Sequence, residues 1–181
     1  AQLKQAILKG LGLLNTKIDK LHNDSHTDPM TGLFNRRAMQ QMLDDYQAQS
    51  LPLAVIALDI DHFKTINDHF GHDVGDAVIV SLATLMQQDL RADAALCRSG
   101  GEEFLLLLPG VSGVQAERIA ERLRLRVESH EMGQAGRITI SLGVAHWPGD
   151  ASDLGAVLKQ ADKALYQAKH RGRNCVVVAG A

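Results

Sequence analysis

Apolar residues recur along the chain with two spacings, one typical of helices and one typical of strands. The helical spacing predicts five helices, over residues 35–49, 62–70, 77–90, 114–130 and 154–170. Runs of β-branched and apolar residues predict five strands, over residues 51–58, 94–98, 103–108, 138–147 and 175–178. The segment 71–76 is expected to be a loop. Strands separated by helices, with one hairpin, predict a mixed α/β domain.

The N-terminal stretch carries apolar side chains at alternating steps of four and three, which is the spacing of a coiled-coil seam. The seam residues are Ile7, Leu11, Leu14, Ile18 and Leu21. Two interpretations stay open: a helix that packs on its own domain, or a short parallel coiled coil that pairs two copies. Gly10 and Gly12 weaken the helix in both cases. We expect an N-terminal helix over 1–24 and a separate globular domain over 25–181, in a piece of a longer protein.

The composition is that of one ordinary globular domain. The chain has 181 residues, of which 45% are hydrophobic and 22% charged, with a net charge of -2 and a pI near 6.5. This balance gives no electrostatic basis for binding long nucleic acid or an anionic membrane. No apolar run approaches the roughly 20 residues of a membrane span. Cys97 and Cys175 lie far apart in apolar stretches, which favours buried thiols in a reducing compartment. We expect a cytoplasmic location, and an anchor upstream of Ala1 stays open.

The first candidate site is Asp59-Ile60-Asp61, at the end of a predicted buried strand. Alternation sends the two Asp side chains to one face of the sheet and Ile60 to the other. Ligands of open α/β sheets usually bind at strand ends. A pair of solvated acids stays the alternative interpretation. A calcium loop fits poorly, because His62 and Phe63 stand where oxygen ligands and a turn are needed.

The second candidate is Gly100-Gly101-Glu102-Glu103, at the tip of the predicted hairpin. Adjacent strand residues face opposite sides, so Glu102 and Glu103 serve one ligand only if the hairpin is locally irregular. Glycine lets a backbone approach a phosphate closely. A polar hairpin tip is the alternative. If the two acidic strand ends are neighbours, their carboxylates suit magnesium together with substrate phosphates.

A third set of residues offers recognition and positive charge. Asn67 and Asp76 flank the predicted loop, where an amide and a carboxylate could hydrogen-bond the edge of guanine. Lys169 and Arg173 lie near the C-terminus of the last helix. Compensation of the helix dipole is the alternative for these two cations.

Five motifs, in this order, resemble the GGDEF domain, the catalytic domain of diguanylate cyclases. They are DPMTGLFNRR (28–37), DIDHFKTINDHFGHDVGD (59–76), RSGGEEF (98–104), ITISLGVA (138–145) and ADKALYQAKHRGRN (161–174). The resemblance covers residues 24–178. It implies an α/β (α+β) fold with a central, mostly antiparallel sheet surrounded by helices, as in adenylate cyclases and polymerase palms. It also implies that two GTP molecules, one on each subunit of a homodimer, condense to cyclic di-GMP and two pyrophosphates.

The resemblance assigns roles by position. Metal ligation, by two Mg²⁺ ions per site with Mn²⁺ as the alternative, falls to Asp59, Ile60 through its carbonyl, Glu102 and Glu103. Glu102 is the expected general base and Glu103 its support, although which of the two is the base stays open. Guanine is read by Asn67 and Asp76. Contacts to phosphates or other parts of the substrate fall to His62, Phe63, Lys64, His72, Gly100, Gly101, Lys169 and Arg173. Because the triphosphate and the carboxylates repel each other, metal dependence should be absolute.

One segment departs from the family pattern. Family members often carry an inhibitory product site, R-x-x-D, that ends six residues before the first motif glycine. Here Arg91 keeps its place, but Ala94 stands where the aspartate belongs, and Asp93 is one residue off. The sequence predicts weak or absent product inhibition. A GGDEF domain that binds nucleotide without chemistry, and a dimerisation module acting through the N-terminal seam, are the other functions considered.

Overall fold

A mixed sheet forms the centre of the computed structural model, which describes Gln2 and residues 25–180. Its strands are β1 Leu53–Ile60, β2 Ala95–Arg98, β3 Glu103–Pro109, β4 Ile140–Trp147 and β5 Val176–Val178. Their order across the sheet is β2-β3-β1-β4-β5. Neighbouring strands run antiparallel except β4 and β5, which run parallel. The predicted central, mostly antiparallel sheet is therefore confirmed.

Helices cover this sheet on both faces. In the described part of the chain they are α1 Arg36–Ala48, α2 Phe63–Phe70, α3 His72–Gln88, α4 Gly113–Ser129 and α5 Leu154–His170, with a 3₁₀ turn at Gly133–Ala135. The side chains of Asn35, Ser112 and Asp153 accept hydrogen bonds from backbone N–H groups in the first turns of α1, α4 and α5. These caps satisfy donors that a helix start leaves unpaired, which explains why the three helices begin where they do.

Strand β1 is buried along its whole length and separates two apolar layers. Its even-numbered residues pack in the cluster that includes α3 and α4, and the odd-numbered residues Leu53–Ala57 pack in the cluster that includes α1 and α5. The period of two in a strand produces this division. By the same alternation Asp59 faces the layer of α1 and α5.

Helix α5 packs directly on β4 at Gly143. A Cβ on Gly143 would lie 2.2 Å from the carbonyl oxygen of Ala161 and 2.3 Å from the backbone nitrogen of Leu165. Only glycine permits this approach of helix and strand. The close packing places the C-terminal end of α5, with Lys169, beside the C-terminal end of β1.

Several boundaries differ from the predictions (β4, for example, begins at Ile140 and not at 138), and two of the differences bear on the candidate site. The segment 71–76 is not a loop: Gly71, with φ of 91°, separates α2 from α3, and α3 begins at His72. Gly75 misled the prediction, because in the folded chain it is a buried helical residue. Strand β1 begins at Leu53 and continues to Ile60, two residues later at each end than predicted.

The predicted N-terminal seam lies outside the described residues, so the division into 1–24 and 25–181 stays a prediction. Among the residues that are described, no helix has the length and apolar character needed to cross a bilayer.

Candidate active site

The C-terminal end of β1 holds a buried carboxylate in contact with a lysine. Asp59 is 3% exposed, and Nζ of Lys169, near the end of α5, donates a hydrogen bond to Asp59 Oδ2. Part of this lysine is exposed, with 34% of its side chain accessible. The pair places one anion and one cation at the C-terminal end of β1, and the cation can reach solvent.

The β2–β3 hairpin brings two more carboxylates to the same place. Glu103, the first residue of β3, stands directly opposite Asp59 in the sheet register. Cross-strand partners share a face, so both side chains point to the α1 and α5 side. Glu102 lies just before the strand, and its carbonyl accepts a hydrogen bond from the N–H of Ile60 at 3.4 Å. This bond continues the register of β1 and β3 to Glu102, so that both glutamates lie beside the end of β1.

The electrostatics of Asp59 follow from this arrangement. Burial raises the pKa of Asp59 to about 6, against the opposing influence of Lys169, and the nearby charges of Glu102 and Glu103 raise it further. Like charges held together at a partly buried site disfavour ionisation. The end of the sheet where β1 finishes and β3 begins, called the acidic edge below, is therefore an anionic site that a cation would stabilise.

Arg98, the last residue of β2, holds the tip of the hairpin in place. Arg98 donates to the carbonyl of Gly101 through Nε at 3.0 Å and Nη2 at 2.8 Å. Its Nη1 donates to both carboxylate oxygens of Asp28 at 3.1 Å. Asp28 also accepts from the N–H and hydroxyl of Thr31. The residue before Glu102 is thus tied to the turn that precedes α1.

A second group of predicted residues lies on α2 and α3. The side-chain oxygen of Asn67 is buried without a hydrogen-bond partner among the described residues. Gly75 lies against it, since a Cβ on Gly75 would come 1.8 Å from Asn67 Oδ1. Asp76 and His72 are exposed on α3. Gly75 therefore fixes where the Asn67 amide sits, while Asp76 is open to a ligand.

The remaining predicted residues flank these two groups. His62 adopts a left-handed backbone, with φ of 56°, immediately before α2, and Phe63 packs against the core. Lys64 is exposed on the first turn of α2. Arg173 is exposed in the turn that follows α5. The structure thus brings Asp59 into contact with Lys169 and sets it opposite Glu103, whereas Asn67 lies on α2 and Asp76 on α3.

The glycines of the hairpin tip leave space beside its backbone. Within the described part of the chain, a Cβ on Gly101 would meet nothing within 4 Å, and one on Gly100 would meet Glu103 Oε2 at 3.3 Å. Open space at Gly101 agrees with the expectation that a ligand approaches the backbone there.

Comparison with known proteins decides the family. The profile described as "Diguanylate cyclase, GGDEF domain" matches residues 25–175. The chain belongs to the GGDEF family of diguanylate cyclases. Enzymes of this family are nucleotidyltransferases, and the GGDEF domain described here carries the fold and the ordered motifs of that family.

Relatives and solved structures agree with this assignment. The response regulator PleD of Caulobacter vibrioides is 43% identical over 160 residues, which are 83% of this chain and 35% of PleD. The coiled coil and GGDEF domain of DgcB from Caulobacter crescentus, in complex with c-di-GMP, superimposes with a TM-score of 0.83 at 30% identity, over 99% of this chain and 98% of that one. The active GGEEF domain of a diguanylate cyclase from Vibrio cholerae gives a TM-score of 0.71 at 34% identity, over 78% and 96%. This chain spans about a third of PleD.

Diguanylate cyclases with a GGDEF domain are generally metal-dependent, and the acidic edge fits a divalent ion. Its donors are hard carboxylate oxygens whose mutual repulsion a cation would relieve. No three His, Cys, Asp or Glu side chains of the described chain form a ready-made metal cage. Magnesium commonly takes one or two carboxylates and completes its shell with water and substrate phosphates. The residues present therefore fit an ion that binds together with a nucleotide.

Sequence reasoning missed Asp28, Arg98 and Gly75. Arg98 stands beside the glycine pair and Asp28 opens the first motif, but their pairing joins positions far apart in the chain. Only correlated variation of positions 28 and 98 among related sequences would have indicated this pairing. Gly75 was read as a loop former, although Val74 and Val78 on its two sides have the i, i+4 spacing of one helix face.

Proposed function

We propose that this domain condenses two molecules of GTP into cyclic di-GMP and two pyrophosphates, acting as a homodimer with one GTP on each subunit. The observation that carries the proposal is the convergence of Asp59 and Glu103 with Lys169 at one sheet edge. This group lies in a chain of the diguanylate cyclase family whose five motifs are complete. Catalysis by such a site is a matter of holding the reacting groups of two nucleotides in line.

The proposed chemistry forms two phosphodiester bonds. Glu102 takes the proton of the 3′-hydroxyl, and the hydroxyl oxygen attacks the α-phosphorus of the GTP on the facing subunit. The bond from that phosphorus to the β,γ-pyrophosphate breaks, and pyrophosphate leaves with the bonding electrons. The same step in the opposite direction closes the ring. Glu103, opposite Asp59 in the sheet, supports Glu102 as a neighbouring carboxylate.

Four residues would hold the metal: Asp59, Glu102 and Glu103 through carboxylates, and Ile60 through its carbonyl. We propose two Mg²⁺ ions per site, with Mn²⁺ as the alternative. When bound, the metal offsets the charge of the triphosphate and stabilises charge that develops on the attacking and leaving oxygens. Lys169 donates to Asp59, and a metal ion bound to Asp59 would release this lysine to the triphosphate.

Recognition of the substrate divides between the two ends of GTP. The Asp76 carboxylate can accept hydrogen bonds from guanine N1–H and the exocyclic amine, and the amide of Asn67 supplies a second polar contact. Lys169 and Arg173 bind the triphosphate as cations. Further contacts to the phosphates and the rest of the nucleotide come from His62, Phe63, Lys64, His72, Gly100 and Gly101.

Two copies must face each other because each contributes one 3′-hydroxyl and one α-phosphorus. An N-terminal helix that pairs two chains would raise the effective concentration of the facing sites. Activity per enzyme should therefore rise with enzyme concentration in the range where the dimer dissociates. Dilution series of a chain shortened to residues 25–181 and of the full chain compare the contribution of the N-terminal segment.

The assay for the proposal is conversion of GTP by purified protein in the presence of Mg²⁺, followed by chromatography. Glu102→Gln should abolish turnover and leave the fold intact, because Glu102 precedes the strand and is not part of the core. Glu117→Gln, the same change at an exposed position of α4, is the matched control. Near-normal turnover by Glu102→Gln would contradict the assigned role, and binding of GTP without turnover by the unaltered protein would favour a binding module.

A further inference from the structure

The second aspartate of the DID motif is buried and fully engaged by neutral donors. Asp61 is 5% exposed. Its Oδ1 accepts from the hydroxyl of Ser141 at 2.6 Å, and its Oδ2 accepts from the hydroxyl of Thr139 at 2.7 Å and from the N–H of Asn174 at 3.0 Å. Both carboxylate oxygens therefore already have partners from the protein.

One of these partners belongs to a turn with an uncommon backbone. Gly172, Arg173 and Asn174 have φ of 111°, 66° and 47°. Residues other than glycine rarely adopt positive φ, and they do so at a cost that neighbouring contacts must offset. The bond from Asn174 N–H to Asp61 is one such contact. It fixes the end of the turn from which the Arg173 side chain extends.

Helix α4 holds the other side of the same turn. The side-chain oxygen of Asn174 accepts from Nη1 of Arg124 at 2.9 Å, and its amide nitrogen donates to Glu128. Arg124 also pairs with Glu121 and Glu128 on its own helix. Asn174 is thus held through its backbone by Asp61, the residue that follows β1, and through its side chain by α4.

We propose that Asp61 is a positioning residue: it sets the turn that presents Arg173 to the triphosphate, with α4 supporting the turn through Asn174. The inference rests on the proposed function, in which Arg173 binds GTP. It separates the two aspartates of the motif, since Asp59 lies at the acidic edge beside Lys169 whereas Asp61 is saturated by Ser141, Thr139 and the turn. Asp61 acts on substrate only through Arg173.

The shape of the hydrogen-bond network provides a sharp test. In Asp61→Asn the amide oxygen can keep the bonds from Thr139 and Asn174, and the amide nitrogen can donate to Ser141, whose hydroxyl rotates to accept. Asp61→Ala removes all three bonds. Asp59→Asn makes the same isosteric change at the proposed metal ligand, two residues earlier in the chain.

The readout is the affinity for a non-hydrolysable GTP analogue with Mg²⁺, measured by calorimetry on the whole chain, with thermal unfolding in parallel. Asp61→Ala should weaken binding by about tenfold, the size of a lost charge-assisted contact, and should add no further loss when Arg173→Ala is already present. Asp61→Asn should retain most of the affinity, whereas Asp59→Asn should lose it. If Asp61→Ala fails to fold, Asn174→Gly, which keeps positive φ accessible but removes the contacts to α4, should weaken binding in the same way.

Three outcomes would overturn the inference. They are a lower unfolding temperature in Asp61→Ala (or Asn174→Gly) with unchanged affinity, losses from the Asp61 and Arg173 substitutions that simply add, and a loss in Asp61→Asn equal to that in Asp59→Asn. The last would make Asp61 a metal ligand. Failure of the unaltered protein to bind the analogue contradicts the proposed function itself, and the inference falls with it.

Discussion

Gly75 of α3 lies directly against the side chain of Asn67 on α2, so that a single added methyl group would come 1.8 Å from the amide oxygen. Phe63 Cζ would be 3.2 Å from the same methyl group. The contact joins the two helices at the residue proposed to read guanine. A side chain at position 75 would therefore displace the amide of Asn67.

Gly75→Ala should displace Asn67 and raise the KM for GTP by about fivefold, the worth of one hydrogen bond of about 1 kcal/mol. Glycine to alanine inside a helix ordinarily stabilises by about 1 kcal/mol, and here the clash should remove that gain. Steady-state kinetics and thermal unfolding measure the two effects. Gly113→Ala, whose new methyl would meet no described atom closer than His146 Cβ at 3.9 Å, is the control. An unchanged KM together with a higher unfolding temperature would refute the account of this contact.

The hydrogen bonds of Arg98 to Asp28 and to the Gly101 carbonyl should matter to turnover, although Arg98 itself lies away from the carboxylates of the site. Arg98→Lys keeps the positive charge but cannot hold Asp28 and the Gly101 carbonyl with the same geometry. We expect a lower kcat, because Gly101 immediately precedes Glu102, and a loss of stability of about 1.5–3 kcal/mol, typical of hydrogen bonds to charged groups. A double-mutant cycle with Asp28→Asn should show strong coupling. Independent effects of the two changes would mean that the hairpin tip is held by other contacts.

The same ion pair predicts how stability depends on pH. Burial alone would raise the pKa of Asp28, but hydrogen bonds from Thr31 and Arg98 outweigh it and leave the pKa below its ordinary 3.8. The unfolded chain therefore binds this proton more readily, so Asp28 contributes stability above pH 3.8 that is lost as pH falls through the lower folded value. Urea unfolding of the unaltered protein and of Asp28→Asn across acidic pH isolates the contribution. The difference between them should shrink as pH falls, and a constant difference would contradict the assignment.

Inhibition by the product should be weak. Arg91, the remaining half of the R-x-x-D pattern, donates to both carboxylate oxygens of Asp93 and to the carbonyl of Pro109 at 3.4 Å. Ala94 supplies no carboxylate at the family position. Added cyclic di-GMP should lower the initial rate only slightly, and Ala94→Asp should strengthen the inhibition. Strong inhibition of the unaltered protein that disappears in Arg91→Ala would show that the site works without its aspartate.

The sheet and most helices could be predicted from the sequence because their signals are local. The last helix matches its predicted bounds, Leu154–His170, since Asp153 caps its start and its apolar spacing is regular. The prediction of a loop over Gly71–Asp76 was wrong. Two glycines in six residues indicate a loop, but Gly75 is buried in a contact between two helices, and that contact depends on tertiary packing. Local patterns do not carry that information.

For the candidate site, the residue types were predictable and their partners were not. The acidic strand ends at Asp59 and Glu103 do meet across the sheet, as expected if the two strands are neighbours. The pairing of Lys169 with Asp59 and the burial of Asp61 under the Asn174 turn depend on how α5 packs against β4. That packing is decided at Gly143, which the sequence shows only as one glycine in an apolar strand.

The measurement that tests the central claim most directly is mass spectrometry of the nucleotide product. Purified protein is incubated with Mg²⁺ and an equal mixture of ordinary and isotope-labelled GTP. A diguanylate cyclase joins two GTP molecules, so we predict cyclic di-GMP in light, mixed and heavy forms, with the mixed form most abundant, and none after Glu102→Gln. Recovery of unreacted GTP alone, or of products that contain a single guanosine, would contradict the account.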